Sequence, residues 1–194
     1  MPKTPSRTPS KNAETGSANR LPTPNTARLF LALMPGEAMK AELVKHSDLW
    51  HWPADAAHYA PADWHVTLHF IGSVPRERLD ELRAGLAVPL TPFDLRLDLP
   101  ELWPHGLAVL GAEAVPEALQ QLHAELGQAL QRLGLRADPR PFRPHLTLAR
   151  HAALARPPLS RPVLDWHVDA YVLMASTGDV LQRYRVLQWY RGTA

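Results

Sequence analysis

Two histidines carry the first sign of chemistry in this chain. The segment HVTLHF over residues 65–70 returns as HLTLAR over 145–150, so the order histidine, aliphatic, threonine, leucine occurs twice. In a chain with 10 histidines a lone His-x-Thr would mean little, whereas the repeated tetrad is far from chance. Imidazole titrates near neutrality, so one neutral and one protonated ring can act together as base and acid at physiological pH. A threonine hydroxyl two residues on adds a hydrogen-bond donor for an oxyanion. The chemistry these residue types suit is paired proton transfer around a small anion.

A strand must position each set. Val66, Thr67, Phe70 and Ile71 favour extended backbone, and a period of two puts His65 and Thr67 on one face with Val66 and Leu68 on the other. His145 and Thr147 share a face in the same way, Leu146 and Leu148 point into a core, and Pro144 suits the first position of a strand. Facing each other, the two strands would bring two imidazoles and two hydroxyls around one anion. The same alternation places His69 on the cleft side, about 13 Å from His65 along an extended chain. That is too far for one zinc ion, so His69 is expected to meet the substrate's ribose or base, or to sit on the rim. Strict alternation turns Arg150 away from the face of His145, so a role at the anion requires the strand to end or bulge before it.

The remaining residues describe the scaffold. Residues 1–26 are rich in Pro, Ser, Thr, Asn and Gly, and carry Lys3, Arg7, Lys11 and Arg20 against Glu14 alone. Such a segment cannot bury a core, so a disordered basic tail is expected, followed by a two-lobed domain over 27–194. RLFLAL from Arg28 reads as a buried strand, and helices are expected over 37–49, 75–86 and from Pro116 onward. In the last of these Leu119, Leu122, Leu126, Leu130 and Leu133 form one apolar face that Gly134 stops. Strands are expected over 93–99, 107–110, 163–175 and 180–190, the last two joined by a turn at Thr177-Gly178-Asp179. Strands and helices thus interleave twice, an α+β order with two similar halves.

Composition sets outer bounds. A chain of 194 residues makes one domain or two small lobes, and the absence of cysteine excludes disulfides, thiol nucleophiles and Cys-ligated zinc. No apolar run approaches a membrane span and no hydrophobic signal segment opens the chain, so a cytoplasmic protein without membrane contact is expected. A net charge of +2 and a pI near 9.1 lean weakly toward polyanionic partners.

Taken together these residues resemble the two-histidine phosphoesterases, and among them the bacterial RNA 2',3'-cyclic phosphodiesterases once called 2'-5' RNA ligases. The likeness runs through RLFLAL, WHVTLHFIG over 64–72, FRPHLTLAR over 142–150, YVLMAS over 171–176 and YRVLQWY over 184–190. It implies an α+β, bilobal fold, with two pseudo-symmetric antiparallel β-sheet lobes and outer helices around a central cleft. It further implies a monomer that uses no metal and no cofactor, and RNA with a 2',3'-cyclic phosphate terminus as substrate. The implied reaction opens that phosphate to a 2'-phosphomonoester, with 2'-5' ligation as its reverse. His65 would be the proton donor to the departing 3'-oxygen and His145 the proton acceptor for water, the opposite assignment staying open. Thr67 and Thr147 would hydrogen-bond the non-bridging oxygens, and Arg150 would add positive charge. Phe30 and Phe142 are candidates for an aromatic cleft wall, and Arg143 for a phosphate contact. Two alternatives remain: a different small cyclic or 2'-5' phosphodiester as substrate, or a non-catalytic RNA-end binding module. Histidine and threonine at all four positions favour catalysis, because a binder needs donors but no matched acid and base.

Overall fold

The computed structural model describes residues 25–180 and 182–192. Nearly all of the expected tail over 1–26 lies outside the described residues, and the first strand opens at Thr26 rather than Arg28. In chain order the elements are β1 (Thr26–Leu33), α1 (Glu37–Ser47), β2 (Ala57–His58), β3 (Val66–Pro75), α2 (Leu79–Gly85), β4 (Phe93–Leu97), β5 (Leu99–Trp103), β6 (Leu107–Gly111), α3 (Glu117–Arg132), β7 (His145–Arg150), β8 (Leu164–Val168), β9 (Ala170–Ser176) and β10 (Tyr184–Arg191).

The strands form an eight-stranded antiparallel sheet in the order β10-β9-β1-β3-β7-β6-β5, with β2 added alongside β7, and a separate β4-β8 pair. The larger sheet is two half-sheets meeting at β3 and β7, where one residue pair, Val66 opposite Leu146, joins them. Each half repeats the same unit. A central strand (β1, β6) leads through a helix (α1, α3) to an antiparallel neighbour that carries a histidine tetrad (β3, β7). After each tetrad strand the chain supplies one partner of the β4-β8 pair, which keeps the pseudo-symmetry through the second layer.

Burial follows from pattern. Leu29, Leu31 and Leu33 are fully buried along β1, which is flanked by β3 and β9 and therefore reads as a continuous apolar run. Helix α3 buries Leu119, Leu122, Leu126, Ala129 and Leu130 on the stripe expected of it. The expected single strand over 163–175 is instead two strands in different sheets. LDWHV buries alternate residues as β8 beside β4, whereas AYVLMAS is buried almost throughout as β9 beside β1. β5 was not foreseen; the strand expected over 93–99 ends at Leu97, and Asp98 turns the chain, its N–H donating to the Gly111 carbonyl.

Neither tetrad strand is regular. Opposite β1, two bulges interrupt β3: Leu31 and Ala32 face His69 and Thr67, leaving Leu68 extra, while Leu29 and Phe30 face Gly72 and Phe70, leaving Ile71 extra. Gly72 follows at φ +85°, a conformation that a residue with a Cβ rarely adopts. β7 carries the matching bulge: Val109 and Ala108 of β6 face Thr147 and Ala149, leaving Leu148 extra. A bulge places two residues against one, so the side-chain alternation resets beyond it.

Candidate active site

His65 stands just before β3 and His145 opens β7, on either side of the Val66–Leu146 junction. Both imidazoles are anchored alike. His65 Nδ1 lies 2.7 Å from the Asp63 carbonyl and His145 Nδ1 lies 2.8 Å from the Arg143 carbonyl, each two residues back. A carbonyl can only accept, so Nδ1 carries the hydrogen in both rings and Nε2 is left to take or give a proton. The two rings, together with Thr67, Thr147 and Arg150, line one cavity of about 180 Å³. Arg150 reaches it because the Leu148 bulge turns it onto the face of His145, the condition that strict alternation denied.

Burial holds the pKa of both histidines below the ordinary imidazole value. At His65 the hydrogen bond to the Asp63 carbonyl opposes this shift and the neighbouring His145 adds to it. At His145 the hydrogen bond to the Arg143 carbonyl opposes it, the Arg143 charge adds to it, and Glu101 works against it. The walls differ. His65 is enclosed by Phe30 (centroids 5.0 Å apart, tilted) and by the edge-on ring of Tyr184 (5.0 Å). His145 lies 4.2 Å from Trp103, whose ring carries the Arg143 guanidinium at 4.8 Å and whose Nε1–H donates to Glu101. Glu101 also pairs with Arg143 at 3.0 Å.

A larger cavity of about 600 Å³ opens beside the first and shares Thr67, Phe70 and His145 with it. Phe142, Trp103 and Arg143 form its aromatic and cationic wall, and the ion-paired Asp138 and Arg140 also line it. Of the expected binding residues, Phe142 and Arg143 therefore meet the outer cavity and Arg150 the inner one.

Two expectations are corrected. His69 does not face the cleft: the Leu68 bulge turns it into the protein, where it is 3% exposed, stacks on His123 at 4.0 Å and donates from Nε2 to the His123 carbonyl of α3. Phe70 takes the cleft position instead, 46% exposed. Phe30, 1% exposed, backs His65 from inside the sheet and is not part of either cavity's wall. Sequence reasoning also missed Tyr59, Asp63 and Tyr184, which complete the inner cavity. YRVLQWY marked the strand that brings Tyr184, but no spacing rule links residue 184 to residue 65.

The two tetrad strands each contribute an anchored His-x-Thr to one cavity, an arrangement suited to paired acid-base chemistry. The sequence model of the 2'-5' RNA ligase superfamily matches residues 44–179, and the chain belongs to that superfamily. It is 35% identical over 159 residues to the RNA 2',3'-cyclic phosphodiesterase of Escherichia coli (strain K12), covering 77% of this chain and 87% of that protein. Against the RNA 2',3'-cyclic phosphodiesterase of Thermus thermophilus it is 32% identical over 166 residues, 77% of this chain and 81% of that one. The crystal structure of E. coli LigT complexed with 3'-AMP superposes with a TM-score of 0.77 at 28% identity, over 87% of this chain and 99% of that one.

Proposed function

We propose that the protein hydrolyses RNA 2',3'-cyclic phosphate ends to 2'-phosphomonoesters. The observation that carries this reading is the pair of Nδ1-anchored histidines on one cavity that also holds two threonines and an arginine. The cyclic phosphate's negative charge raises the pKa of the rings beside it, offsetting the shift that burial imposes, so one ring holds a proton while the other stays neutral. Nε2 of His145 takes a proton from water as the water oxygen bonds to phosphorus. The bond from phosphorus to the 3'-oxygen breaks, and that oxygen takes the proton from Nε2 of His65. Thr67 and Thr147 donate to the non-bridging oxygens as charge gathers there, and Arg150 neutralises part of it.

The same groups in the same roles give a 2'-5' linkage when a ribose 5'-hydroxyl replaces water: its oxygen bonds to phosphorus and loses its proton to His145, and the 3'-oxygen leaves with the proton of His65. The outer cavity, walled by Phe142, Trp103 and Arg143, suits the terminal nucleoside by stacking and charge. The E. coli relative's crystallisation with 3'-AMP supports a nucleotide-sized ligand for such a site. One chain supplies both histidines, so the chemistry needs no second copy. Among the described residues no group of three or more His, Cys, Asp or Glu side chains is arranged to hold a metal ion. Turnover of a cyclic-phosphate-terminated oligoribonucleotide, with and without EDTA, tests the reading. A 2'-phosphate product at an unchanged rate in chelator is expected. A 3'-phosphate product, no product, or activity lost in chelator and restored by a divalent cation would overturn it.

A further inference from the structure

Arg150 is an exposed side chain at the end of a strand, and a guanidinium on so long a stem must lose much rotamer freedom before it can serve a transition state. Its neighbours order it. The Tyr59 ring, 7% exposed, lies 5.2 Å from the Arg150 guanidinium, and the Arg183 guanidinium lies 5.2 Å from the same ring. Asp63, an inner-cavity residue whose carbonyl anchors His65, reaches Arg183 at 3.5 Å. That carboxylate offsets Arg183, so the net positive charge of the three side chains falls to Arg150. Tyr59 also acts through its backbone: its N–H donates to the Leu148 carbonyl at 2.9 Å, the bulge residue that turns Arg150 into the cavity. The two residues before it pair as β2 with Ala149 and Arg150 themselves.

We infer that Tyr59 is a positioning residue for the phosphate site, holding Arg150 on its ring and the Leu148 bulge on its backbone. It thereby links Arg150, at the end of the second tetrad's strand, to Asp63, which anchors His65 of the first tetrad. This rests on reading the inner cavity as the phosphate site, because it assigns Arg150 an anion to meet. An aromatic face attracts a guanidinium more strongly where water is excluded, and the phenol hydroxyl is not needed for that contact.

The test combines a double-mutant cycle with a direct observation of Arg150. On a cyclic mononucleotide, Tyr59→Leu is expected to lower kcat/KM about tenfold and Tyr59→Phe by less than about threefold, with the pH profile unmoved in both. In an Arg150→Ala background the same Tyr59→Leu change is expected to cost less than about twofold, since it acts through the missing guanidinium. Equal losses in both backgrounds, or a Phe variant as poor as Leu, would overturn the proposal. Tyr59→Met carries the same cycle if the Leu variant fails to fold. In the unmutated protein, the Arg150 Nε–H resonance, assigned by its loss in Arg150→Lys, is expected to lie upfield from the ring current and to shift on titration with inorganic phosphate. A resonance without the ring-current shift would sink the proposal whatever the variants do. A chain that turns over no cyclic phosphate yet shows both Arg150 shifts would reject the proposed reaction while upholding the role of Tyr59.

Discussion

Residues 64–70 and 144–150 have the same succession of buried, half-buried and exposed positions, residue for residue. Each begins with a buried residue, anchors its histidine to the carbonyl two residues back, presents a half-buried threonine, bulges at leucine and ends on an exposed side chain. The difference lies in what fills the last two places. His69 and Phe70 in the first copy stand where Ala149 and Arg150 stand in the second. The backbone device is duplicated, and the asymmetry that paired acid-base chemistry needs is written into the walls. Around His65 the walls are the rings of Phe30 and Tyr184; around His145 they are Trp103 with the Arg143–Glu101 pair beyond. A proton on a ring among apolar neighbours is held less firmly than in water, which suits the role of donor given to His65.

Removing either histidine should have the largest effect. His65→Ala and His145→Ala are each expected to lose between about 10² and 10⁴ in kcat/KM while keeping the wild-type circular dichroism spectrum. More than half of the activity surviving in one of them would mean that the two copies do not work as a pair. The exchanged last positions should separate next. Arg150→Ala is expected to cost on the order of tenfold to a hundredfold, chiefly in kcat, as a lost transition-state contact. Phe70→Ala is expected to cost about fivefold, chiefly in KM. Steady-state kinetics with equal kcat losses for both would erase the distinction between a charged and a stacking wall.

A smaller and subtler difference lies in pH. Both histidines are shifted downward from 6.5, so the bell in kcat/KM, which reports the free protein, is expected to centre below that value. Its limbs belong to the coupled pair. Bound phosphate anion raises both pKa values, so the bell in kcat should sit at higher pH; coincident bells would contradict the electrostatic account. The smallest effect concerns His123, stacked between His69 and Phe142 at 4.0 Å from each. Burial first, then the neighbouring His69, pushes it down to about 4. The unfolded chain therefore takes up a proton near pH 6.5 that the native state refuses, and stability present above 6.5 is lost as pH falls toward 4. Thermal melts of His123→Phe should fall less between about pH 7.5 and 5 than those of the unmutated protein. Parallel losses would place the acid sensitivity elsewhere.

Much of this site could be read from spacing. His65, Thr67, His145 and Thr147 sit on one cavity as a period of two requires, because that period holds as far as the bulges. Beyond them it does not, so His69 and Phe70 exchanged the faces expected of them, while Arg150 gained the face it needed. Bulges depend on pairing with a neighbouring strand, which local pattern does not record. Phe30 was misplaced for a related reason: an aromatic in a buried run packs behind a histidine as readily as beside a ligand. Tyr59 and Tyr184 reach the site only through tertiary pairing, Tyr59 beside β2 against β7 and Tyr184 at the start of β10. The split between β8 and β9 was hidden likewise, since a half-buried strand and a central one joined at Asp169 read as one apolar stretch.

The single pair that joins the half-sheets has a mechanical meaning. Val66 and Leu146 are each fully buried, each follows its histidine directly, and each burial contributes about 1.5–3 kcal/mol against exposure to water. The β4–β8 ladder, five residue pairs long, ties the same two halves together a second time, and one continuous apolar core runs through both. The gauge between the two imidazoles is therefore set by buried side chains directly beside them, and not by the sheet's hydrogen bonds alone.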